Sequence, residues 1–360
     1  MSRLLSIAWK ELVQLRRDRL TIGMMLMLPV IQLLLFGYAI NTDVRHLPTV
    51  VWDQDRSAAS RDLARSLEAT TSYDLLGEVR GYEEIQTSFR TGVARVALVI
   101  PPGHGAAVAT GRPAPVQLLV DGSDPQTVAS ATTTAASLAS ARGATPAIVS
   151  VEPAILYNPD QRTAVYIVPG LVGVILTMTM VMLTSMAIAR ERERGTLEQL
   201  IVSPLRGHEL IVGKILPYVT IGYVQITLVL VVGWLVFDVP VVGQLGLLYL
   251  LSALFIAANL SLGLFFSTLA KTQQQAMQMS FFFLLPNILL SGFMFPFEGM
   301  PEPAQWLSTA LPLTHYLRVV RGIALKGATF SDLHAEVLAQ AVILVVLVIL
   351  ASLRFRKKLG

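Results

Sequence analysis

Residues 190–214 read RERERGTLEQLIVSPLRGHELIVGK and separate two apolar runs, each long enough to cross a bilayer, which takes roughly 20 residues. Charges of alternating sign occupy 190–194, and Gly195 then interrupts the helical pattern. Thr196 opens a Thr-x-x-Gln pattern and Ser203-Pro204 marks a second helix start, because both patterns favour a helix N-terminus. The stretch therefore predicts a short helix held between two membrane spans. On spacing alone, a structural turn and a docking element for a soluble partner are equally open.

The composition of the chain is that of an integral membrane protein. Its 360 residues are 53% hydrophobic and 14% charged, with a mean hydropathy of +0.60. A soluble domain of this length needs a more polar surface than that content allows. The formal net charge is +4 and the basic residues cluster beside apolar segments, which is typical of topology-setting charge and not of a nucleic-acid surface. The chain has no cysteine, so disulfides, thiolate metal sites and cysteine nucleophiles are excluded.

Six segments are apolar and long enough to span a bilayer. They are residues 20–40, 164–189, 215–237, 244–269, 276–297 and 335–353. Basic residues precede the first span and fill the tail 354–360, so both termini are expected in the cytoplasm and the number of crossings is even. Arg318, Arg321 and Lys326 go against this charge rule, since the alternation puts them on the outer side. The expected fold is an α-helical integral membrane protein with six transmembrane helices, of which 163–353 would hold the second to the sixth.

Residues 41–162 differ in character and predict an α/β extracytoplasmic domain inserted between the first two spans. Strand-like and helix-like runs alternate over 48–52, 57–69, 73–79, 82–90, 94–100, 116–120 and 125–141. Turn residues between these runs favour a small sheet with helices. Asp53, Asp55, Asp121 and Asp124 fit helix caps or turns better than paired catalytic carboxylates. The sequence of this domain shows no catalytic constellation and no metal-ligand cluster.

Residues 1–19 predict an amphipathic helix on the cytoplasmic side of the first span. Apolar residues repeat there at helical spacing, namely Leu4, Leu5, Ala8, Leu12 and Leu15, and basic residues lie elsewhere on the helix. A helix of this kind lies in the membrane interface. A lipid anchor and a docking surface are equally open for it.

Several polar residues fall at membrane depth: Thr177, Thr179, Thr184, Gln225, Asn259, Gln278 and Asn287. Unpaired polar groups in hydrocarbon are costly, so such residues usually face other helices or a cavity. Interhelical packing fits each of them better than substrate contact, and Gln225, Asn259 and Asn287 are the candidates for a substrate path. No acidic or basic residue lies clearly in the middle of a span, which disfavours proton- or sodium-coupled transport.

Two motifs and the inserted domain carry a resemblance to a known family. RERERGTLEQLIVSPLRGHELIVGKILPYV at 190–219 resembles the signature of type-2 ABC transporter permeases, the membrane subunits of ATP-driven exporters. SGFMFPFEGMPEPAQWLSTALPLTHYLRVVRGIALKG at 291–327 is similar to the segment between the last two spans of that family. The inserted domain contains the stretches VVWDQDRSAASRDLARSL and LLVDGSDPQ, which resemble the family branch with an inserted periplasmic domain. Within the family, the chain thus resembles multidrug-efflux permeases. The resemblance covers nearly the whole chain.

The resemblance implies roles for three segments. The coupling helix, which seats in the nucleotide-binding subunit, would be formed by residues 191–202 within the loop 190–214. Its coupling residues would be Glu191, Glu193, Thr196, Leu197, Glu198, Leu200 and Ile201. The connecting helix would lie in 1–19 and meet the same subunit through Lys10, Arg16 and Arg17. Residues 296–325 would form re-entrant helices in the outer leaflet. Arg318 and Arg321 would then sit at the outer headgroup level and would not set the topology.

The chain contains no G-x-x-x-x-G-K-[ST] phosphate loop, so we expect it to bind no cofactor and not to be an enzyme itself. The resemblance implies that a separate cytoplasmic ABC ATPase binds ATP and Mg²⁺. It also implies that a second permease copy or a paralogue completes a homodimer or heterodimer. A periplasmic adaptor and membrane lipids are further expected partners, and nucleic acid is not. The expected location is the bacterial inner membrane, with several crossings.

We therefore expect a permease subunit of an ABC exporter. It would move a hydrophobic or amphipathic substrate, drug-like or lipid-like, out of the cytoplasm or the inner leaflet by ATP-driven alternating access. The alternative is a membrane-anchored sensor or scaffold whose external α/β domain binds a ligand or a partner. An intramembrane enzyme ranks below both, because the spans show no nucleophile–base pair and no metal motif.

Overall fold

The computed structural model describes residues 46–141, 149–195 and 207–356 of the chain. The predicted helix in 1–19, the first predicted span 20–40 and most of the basic tail lie outside these ranges. The described residues form a sheet region, which ends at Leu156, and a helix bundle, which begins at Thr163.

The sheet region contains a mixed sheet of five strands. The strands are β1 (Leu47–Asp53), β2 (Tyr73–Glu78), β3 (Val96–Ile100), β4 (Ala114–Asp121) and β5 (Val149–Leu156), in the order β2-β1-β3-β4-β5. β1 pairs in parallel with β2 and with β3, and β4 pairs in parallel with β5. β3 and β4 are antiparallel.

Helices pack on both faces of this sheet. They are α1 (Ala58–Glu68), α2 (Tyr82–Thr91), α3 (His104–Ala109) and α4 (Pro125–Ala141). Successive side chains of a strand point to opposite faces, so Leu98 of β3 packs in one cluster with Leu63 of α1. Val99 packs in the other cluster, with Phe89 of α2. Burial on both faces explains why β3 reads as the unbroken apolar run VALVI.

The predicted alternation of strands and helices is confirmed in this region, and two elements were not predicted. Each of the seven predicted runs contains or overlaps an observed strand or helix of the predicted type. These two elements, α3 and β5, lie outside all seven predicted runs. β5 reads VSVEPAIL and carries Pro153 next to Glu152, a composition that argues against a central strand. The structure resolves the conflict, because β5 lies at an edge of the sheet, where proline is tolerated.

The helix bundle contains seven helices among the described residues. They are α5 (Thr163–Glu193), α6 (Gly207–Phe237), α7 (Leu245–Leu269), α8 (Gln273–Leu290), α9 (Glu302–Thr309), α10 (Pro312–Lys326) and α11 (His334–Arg356). Within the described ranges, four segments are long and apolar enough to cross a membrane: Thr163–Glu193, Pro217–Phe237, Leu245–Leu269 and His334–Arg354. These four agree with four of the six predicted spans. The count of six stays a prediction.

The fifth predicted span, 276–297, differs most from the structure. Its helix, α8, begins at Gln273 and already ends at Leu290, and it is not one of the four candidate spans. Gly292 follows with a φ of 84°, a left-handed conformation that glycine adopts without strain. The chain therefore turns well before the predicted end of the span, a turn that the continuous apolar run SFFFLLPNILLSGFMFPF conceals.

The bundle core forms where α5 and α7 meet α10. Leu176 of α5, Phe255 of α7 and Tyr316 of α10 are fully buried in one cluster. The rings of Phe255 and Tyr316 stack with their centroids 4.0 Å apart and their planes 2° from parallel. The Tyr316 hydroxyl also lies 2.8 Å from the Ser252 hydroxyl of α7. α10 is thus fixed between helices rather than lying on the surface.

The segment predicted to be re-entrant, 296–325, consists of short helices. A 3-10 turn over Phe297–Gly299 precedes α9, which has 8 residues, and α10, which has 15. Neither helix is long enough to cross a bilayer. Both lie at the end of the bundle where α5 begins, beside the sheet region. The 31 residues of α5 carry the chain to the opposite end of the bundle, at a distance of about 46 Å for a helical rise of 1.5 Å per residue.

Candidate functional site

The first candidate site is the far end of α5, where the predicted coupling loop begins. α5 ends at Glu193, and Gly195 follows with a φ of 69°. The backbone N–H groups of Arg194 and Gly195 donate back to the carbonyls of Arg190 and Arg192. This closes the helix with a glycine in the left-handed conformation, so the predicted break at Gly195 is confirmed.

Side chains of this last turn bind the turn between α7 and α8, and we call this set of contacts the α5 clamp. Arg192 Nη1 donates to the carbonyls of Ser267 and Ala270, at 2.7 and 2.6 Å. An arginine at the carbonyl end of a helix satisfies groups that the helix itself leaves unpaired. The clamp therefore attaches the end of α5 to the end of α7.

The α5 clamp also reaches the first residue of α8. Gln273 Nε2 donates to Glu193 Oε2 at 2.9 Å, and Arg190 Nε donates to Gln273 Oε1 at 3.0 Å. Glu193 is exposed, so this connection is made at the surface of the protein. The end of α5 is thereby bonded to both α7 and α8.

Glu193 lies beyond the apolar part of α5, and the side-chain and backbone hydrogen bonds from Gln273 hold its pKa below the ordinary value. At neutral pH the contact between α5 and α8 therefore includes an ionised glutamate. Charge-assisted hydrogen bonds of this kind are stronger than neutral ones.

The other predicted coupling residues are only partly within the described ranges. Glu191 lies on the last turn of α5 and is partly buried. Thr196, Leu197, Glu198, Leu200 and Ile201 lie outside the described residues, as do Lys10, Arg16 and Arg17 of the predicted connecting helix. Their roles stay predictions.

The three candidates for a substrate path lie between helices. Gln225 of α6 is partly buried and donates to Thr179 Oγ1 of α5 at 3.1 Å. Asn259 of α7 is fully buried, and its Nδ2 donates to the carbonyl of Phe255 in the same helix. Asn287 of α8 is also fully buried, and neither of its amide atoms has a partner among the described residues. In this conformation the geometry is that of helix packing, and a role in a substrate path stays a prediction.

The second candidate site joins the sheet region to the helix bundle, and we call it the junction cluster: Arg95, Asp121, Glu298 and Lys326. Asp121 Oδ2, at the end of β4, accepts from Arg95 Nη1 at 3.0 Å and from Lys326 Nζ at 2.5 Å. Arg95 Nε donates to Glu298 Oε1 at 3.0 Å. Lys326 is the last residue of α10, so the cluster connects β4 to that helix.

The junction cluster is charged although it is buried. Asp121 is only 1% exposed and Lys326 only 9%. Burial raises the pKa of Asp121, but Lys326 and Arg95 outweigh that effect and hold it at about 2. Burial raises the pKa of Glu298 too, and the guanidinium of Arg95 brings it below its ordinary value. Both carboxylates are therefore ionised at neutral pH, and each has a cationic partner.

A third set of polar contacts connects α10 to α11. His315 Nδ1 lies 2.5 Å from Glu336 Oε2, and His315 Nε2 lies 2.9 Å from the carbonyl oxygen of Thr309. Arg318 Nη1 donates to Glu336 Oε1 at 2.9 Å. Glu336 thus accepts from two side chains of α10, which fixes the first turn of α11 against that helix.

A cavity of about 460 Å³ lies between the sheet region and these helices, and we call it the junction cavity. Its charged lining residues are Asp74, Arg90, Arg95, Asp124, Glu298, Arg318, Arg321, Lys326 and Glu336. Arg321 Nη1 donates to the carbonyl of Gly292 at 3.0 Å, and its guanidinium lies 4.1 Å from the ring centroid of Tyr166. The cavity has the size of a site for a small ligand.

Neither the junction cluster nor the junction cavity was predicted from the sequence. The predicted turn role of Asp121 is confirmed in part, since Asp121 Oδ1 accepts from the backbone N–H of Ser123. The ion pairs were not predicted, because their partners are distant in the chain and no periodicity connects them. One signal was present: Arg318, Arg321 and Lys326 contradicted the charge rule for the predicted topology. Such basic residues need a local reason, and the cluster and the cavity supply it.

Comparisons with known proteins point to one family. The model of a family described as ABC-2 family transporter protein matches residues 19–353. The chain is similar to "Probable multidrug ABC transporter permease YbhR" of Escherichia coli strain K12, at 29% identity over 338 residues and 91% of each chain. It is similar to "Probable multidrug ABC transporter permease YbhS" of the same strain, at 28% identity over 90% of this chain and 89% of the relative. "Inner membrane transport permease YhhJ", also of that strain, is 29% identical over 87% of this chain and 86% of its own.

Proposed function

The chain belongs to the ABC-2 family of transporter proteins, and we propose that it is the permease subunit of an ATP-driven exporter. The family match over most of the chain and the names of the relatives, which include multidrug ABC transporter permeases, support this proposal. Four apolar helices of spanning length fit a subunit that forms a path through the membrane.

A separate cytoplasmic ABC ATPase powers the transport in this proposal. The sequence has no phosphate loop of its own, so ATP and Mg²⁺ bind to that partner. A second copy of the chain, or a paralogue, completes the membrane part. The proposed location is the bacterial inner membrane with both termini in the cytoplasm.

In this proposal the loop 190–214 receives the movement of the ATPase, and the contacts of the α5 clamp support that role. Arg190, Arg192 and Glu193 lie in the last turn of α5, where the loop begins, and all three bond to the segment 267–273, in which α7 ends and α8 begins. A push on the loop therefore reaches α5, α7 and α8 together. Glu191, Thr196, Leu197, Glu198, Leu200 and Ile201 would form the surface that meets the ATPase, and Lys10, Arg16 and Arg17 would add a second contact.

The substrate is proposed to be hydrophobic or amphipathic. The four described helices of spanning length are rich in apolar residues, and their apolar stretches contain few charges. A strongly charged solute would therefore lack partners along the path. Gln225, Asn259 and Asn287 are proposed to face the path in another conformation of the alternating-access cycle. Two of the relatives are named as multidrug permeases, which fits a drug-like or lipid-like cargo.

The sheet region is proposed to be an extracytoplasmic domain over 41–162, inserted after the first span. The clamp and the sheet region lie at opposite ends of α5, so a cytoplasmic coupling loop puts the sheet region outside. Docking of a periplasmic adaptor is a proposed role for it. A membrane-anchored sensor is not favoured, because the family match extends through both the sheet region and the helix bundle.

Co-purification tests this proposal. The full chain is extracted from its native membrane in a mild detergent and captured through a tag. We expect a polypeptide with a phosphate-loop ATPase motif to be captured with it, and Glu198→Lys to reduce the amount. Capture of the intact chain without any such ATPase would contradict the proposal.

A further inference from the structure

Two arginines of the junction cavity form no ion pair among the described residues. Arg90, at the end of α2, and Arg321, on α10, both line the cavity, whereas Arg95, Arg318 and Lys326 each have a carboxylate in direct contact. Without a direct ion pair, the charge of Arg321 still acts on Asp124 and that of Arg90 on Asp332. Arg90 belongs to the sheet region and Arg321 to the helix bundle.

Parts of both guanidinium groups are buried without a hydrogen-bond partner. Arg321 Nε and Nη2 and Arg90 Nε have none among the described residues. Arg90 has one side-chain bond, from Nη2 to Thr87 Oγ1 at 3.3 Å, and Arg321 has the bond to Gly292. Buried N–H groups of a cation are costly to leave unpaired. These N–H groups are available to donate to an anion in the cavity.

The carboxylates of the cavity lining mostly have partners other than Arg90 and Arg321. Glu298 and Glu336 are paired with Arg95 and Arg318, and Asp74 is paired with His46. Asp124 remains, and its Oδ1 accepts from the backbone N–H of Gln126. Burial raises the pKa of Asp124 above its ordinary value, and the charge of Arg321 acts against that rise. Asp124 is therefore the carboxylate with which an anion at Arg321 would compete.

Apolar side chains also contribute to the cavity lining. Leu317, Leu333 and Phe297 belong to its lining, and Gln305 of α9 does as well. The next two residues of α9, Trp306 and Leu307, are 71% and 60% exposed. Exposed tryptophan and leucine beside a polar pocket are typical of a surface at the boundary of a membrane. An anion with an apolar chain would fit both the cavity and this rim.

We propose that the junction cavity binds the phosphate headgroup of an amphipathic molecule through Arg321 and Arg90, with the apolar chain along Trp306 and Leu307. Guanidinium groups bind phosphate oxygens in a fixed planar geometry with two parallel hydrogen bonds, and Arg321 and Arg90 keep unpaired N–H groups for such bonds. The apolar-chain part rests on the proposed function, which puts α9 and α10 at the outer surface of the membrane. The phosphate part needs only the cavity itself. A membrane phospholipid and free phosphate share the recognised group.

The test is a binding measurement on the full-length chain in detergent, after removal of co-purified lipid. Native mass spectrometry measures binding of phosphatidylglycerol, of a diacylglycerol with the same chains and no phosphate, and of inorganic phosphate as a competitor. The variants are Arg321→Gln and Arg90→Gln, and the matched control is Arg112→Gln, an exposed arginine of the sheet region outside the cavity lining. A thermal unfolding curve for each variant shows that it is folded.

We expect phosphatidylglycerol to bind more tightly than the diacylglycerol. Each cavity variant should weaken it by about tenfold or more, the effect of losing one charge-assisted hydrogen bond, and Arg112→Gln should not. Displacement by inorganic phosphate would identify the phosphate alone as sufficient, and failure to displace would identify a lipid as the ligand. If Arg321→Gln does not fold, Arg90→Gln still decides the matter, because its side chain makes one bond within the protein.

Equal binding of the two lipids, or wild-type binding by both variants, would overturn the inference. The measurement requires no ATPase and no transport, so its failure leaves the proposed function untouched. Conversely, a chain that captures no ATPase can still show arginine-dependent binding of phosphatidylglycerol. The two proposals therefore fail separately.

Discussion

Asp121 at the end of β4 and Lys326 at the end of α10 form a buried ion pair, with Oδ2 and Nζ 2.5 Å apart although 205 residues separate them in the chain. Lys326 Nζ also donates to the carbonyl of Phe89 at 2.9 Å. Through these bonds the sheet region is held to a helix that packs in the centre of the bundle. A motion that separates the two parts must break a pair of buried charges.

Asp121→Asn should destabilise the protein strongly. The substitution leaves Lys326 and Arg95 buried without their shared anion, and removal of one partner of a buried pair costs about 3–5 kcal/mol. Thermal unfolding in detergent measures the loss. The matched control is Asp62→Asn, which removes an exposed partner of Arg65 on α1 and should have little effect. Equal stability of the two variants would show that the junction cluster does not hold the parts together.

The contribution of Asp121 should depend on pH in a defined direction. Its pKa is about 2 in the folded protein against an ordinary value of 3.8, so the folded state favours the ionised form. The stabilisation is complete above about pH 4 and is lost as the pH falls toward 2. The stability difference between wild type and Asp121→Asn should be constant from pH 5 to 8 and shrink below 4. A difference that changes between pH 5 and 8 would contradict this assignment.

Arg192→Gln should weaken the α5 clamp. It removes the donor to the carbonyls of Ser267 and Ala270, and a lost hydrogen bond to a charged group costs about 1.5–3 kcal/mol. If the clamp passes movement to α7, export should fall while ATP hydrolysis by the complex continues. Lys271→Gln, an exposed residue of the same turn, is the control and should leave both unchanged. A variant that exports at the wild-type rate would rule the clamp out as a coupling contact.

Two glycines of α7 should respond oppositely to alanine. A Cβ at Gly263 would lie 2.7 Å from the Val181 carbonyl oxygen of α5, whereas a Cβ at Gly246 would meet nothing within 4 Å. Gly263→Ala should therefore lower the free energy of unfolding by about 1–3 kcal/mol through overpacking. Gly246→Ala should leave it unchanged or raise it by up to about 1 kcal/mol, because alanine favours a helix. Unfolding curves of the two variants, compared with wild type, decide whether α5 and α7 pack this closely.

Much of the architecture could be predicted from local sequence patterns. Apolar runs of about bilayer length predicted α5, α7 and α11, and turn residues separated the strands of the sheet region. Gly195 ended α5 as predicted, because a left-handed residue closes a helix. These features depend on residues close together in the chain, which is why the sequence displays them.

The junction could not be predicted in the same way. Arg95, Glu298 and Lys326 come from three separate segments, and only folding brings them to Asp121. The early end of α8 was hidden for a different reason, since its last turn and the following turn are both apolar. Local pattern therefore predicts the elements, while the charges that join them depend on tertiary contacts.

The central claim is that a separate ATPase drives this chain through the loop 190–214. The most direct measurement reconstitutes the chain with its captured ATPase in liposomes and follows ATP-dependent movement of a lipophilic fluorescent dye. Wild type and the control Glu152→Lys, an exposed residue of β5, should move the dye when ATP is supplied. Glu198→Lys should abolish that movement. Dye movement that is independent of ATP, or unchanged in Glu198→Lys, would contradict the account.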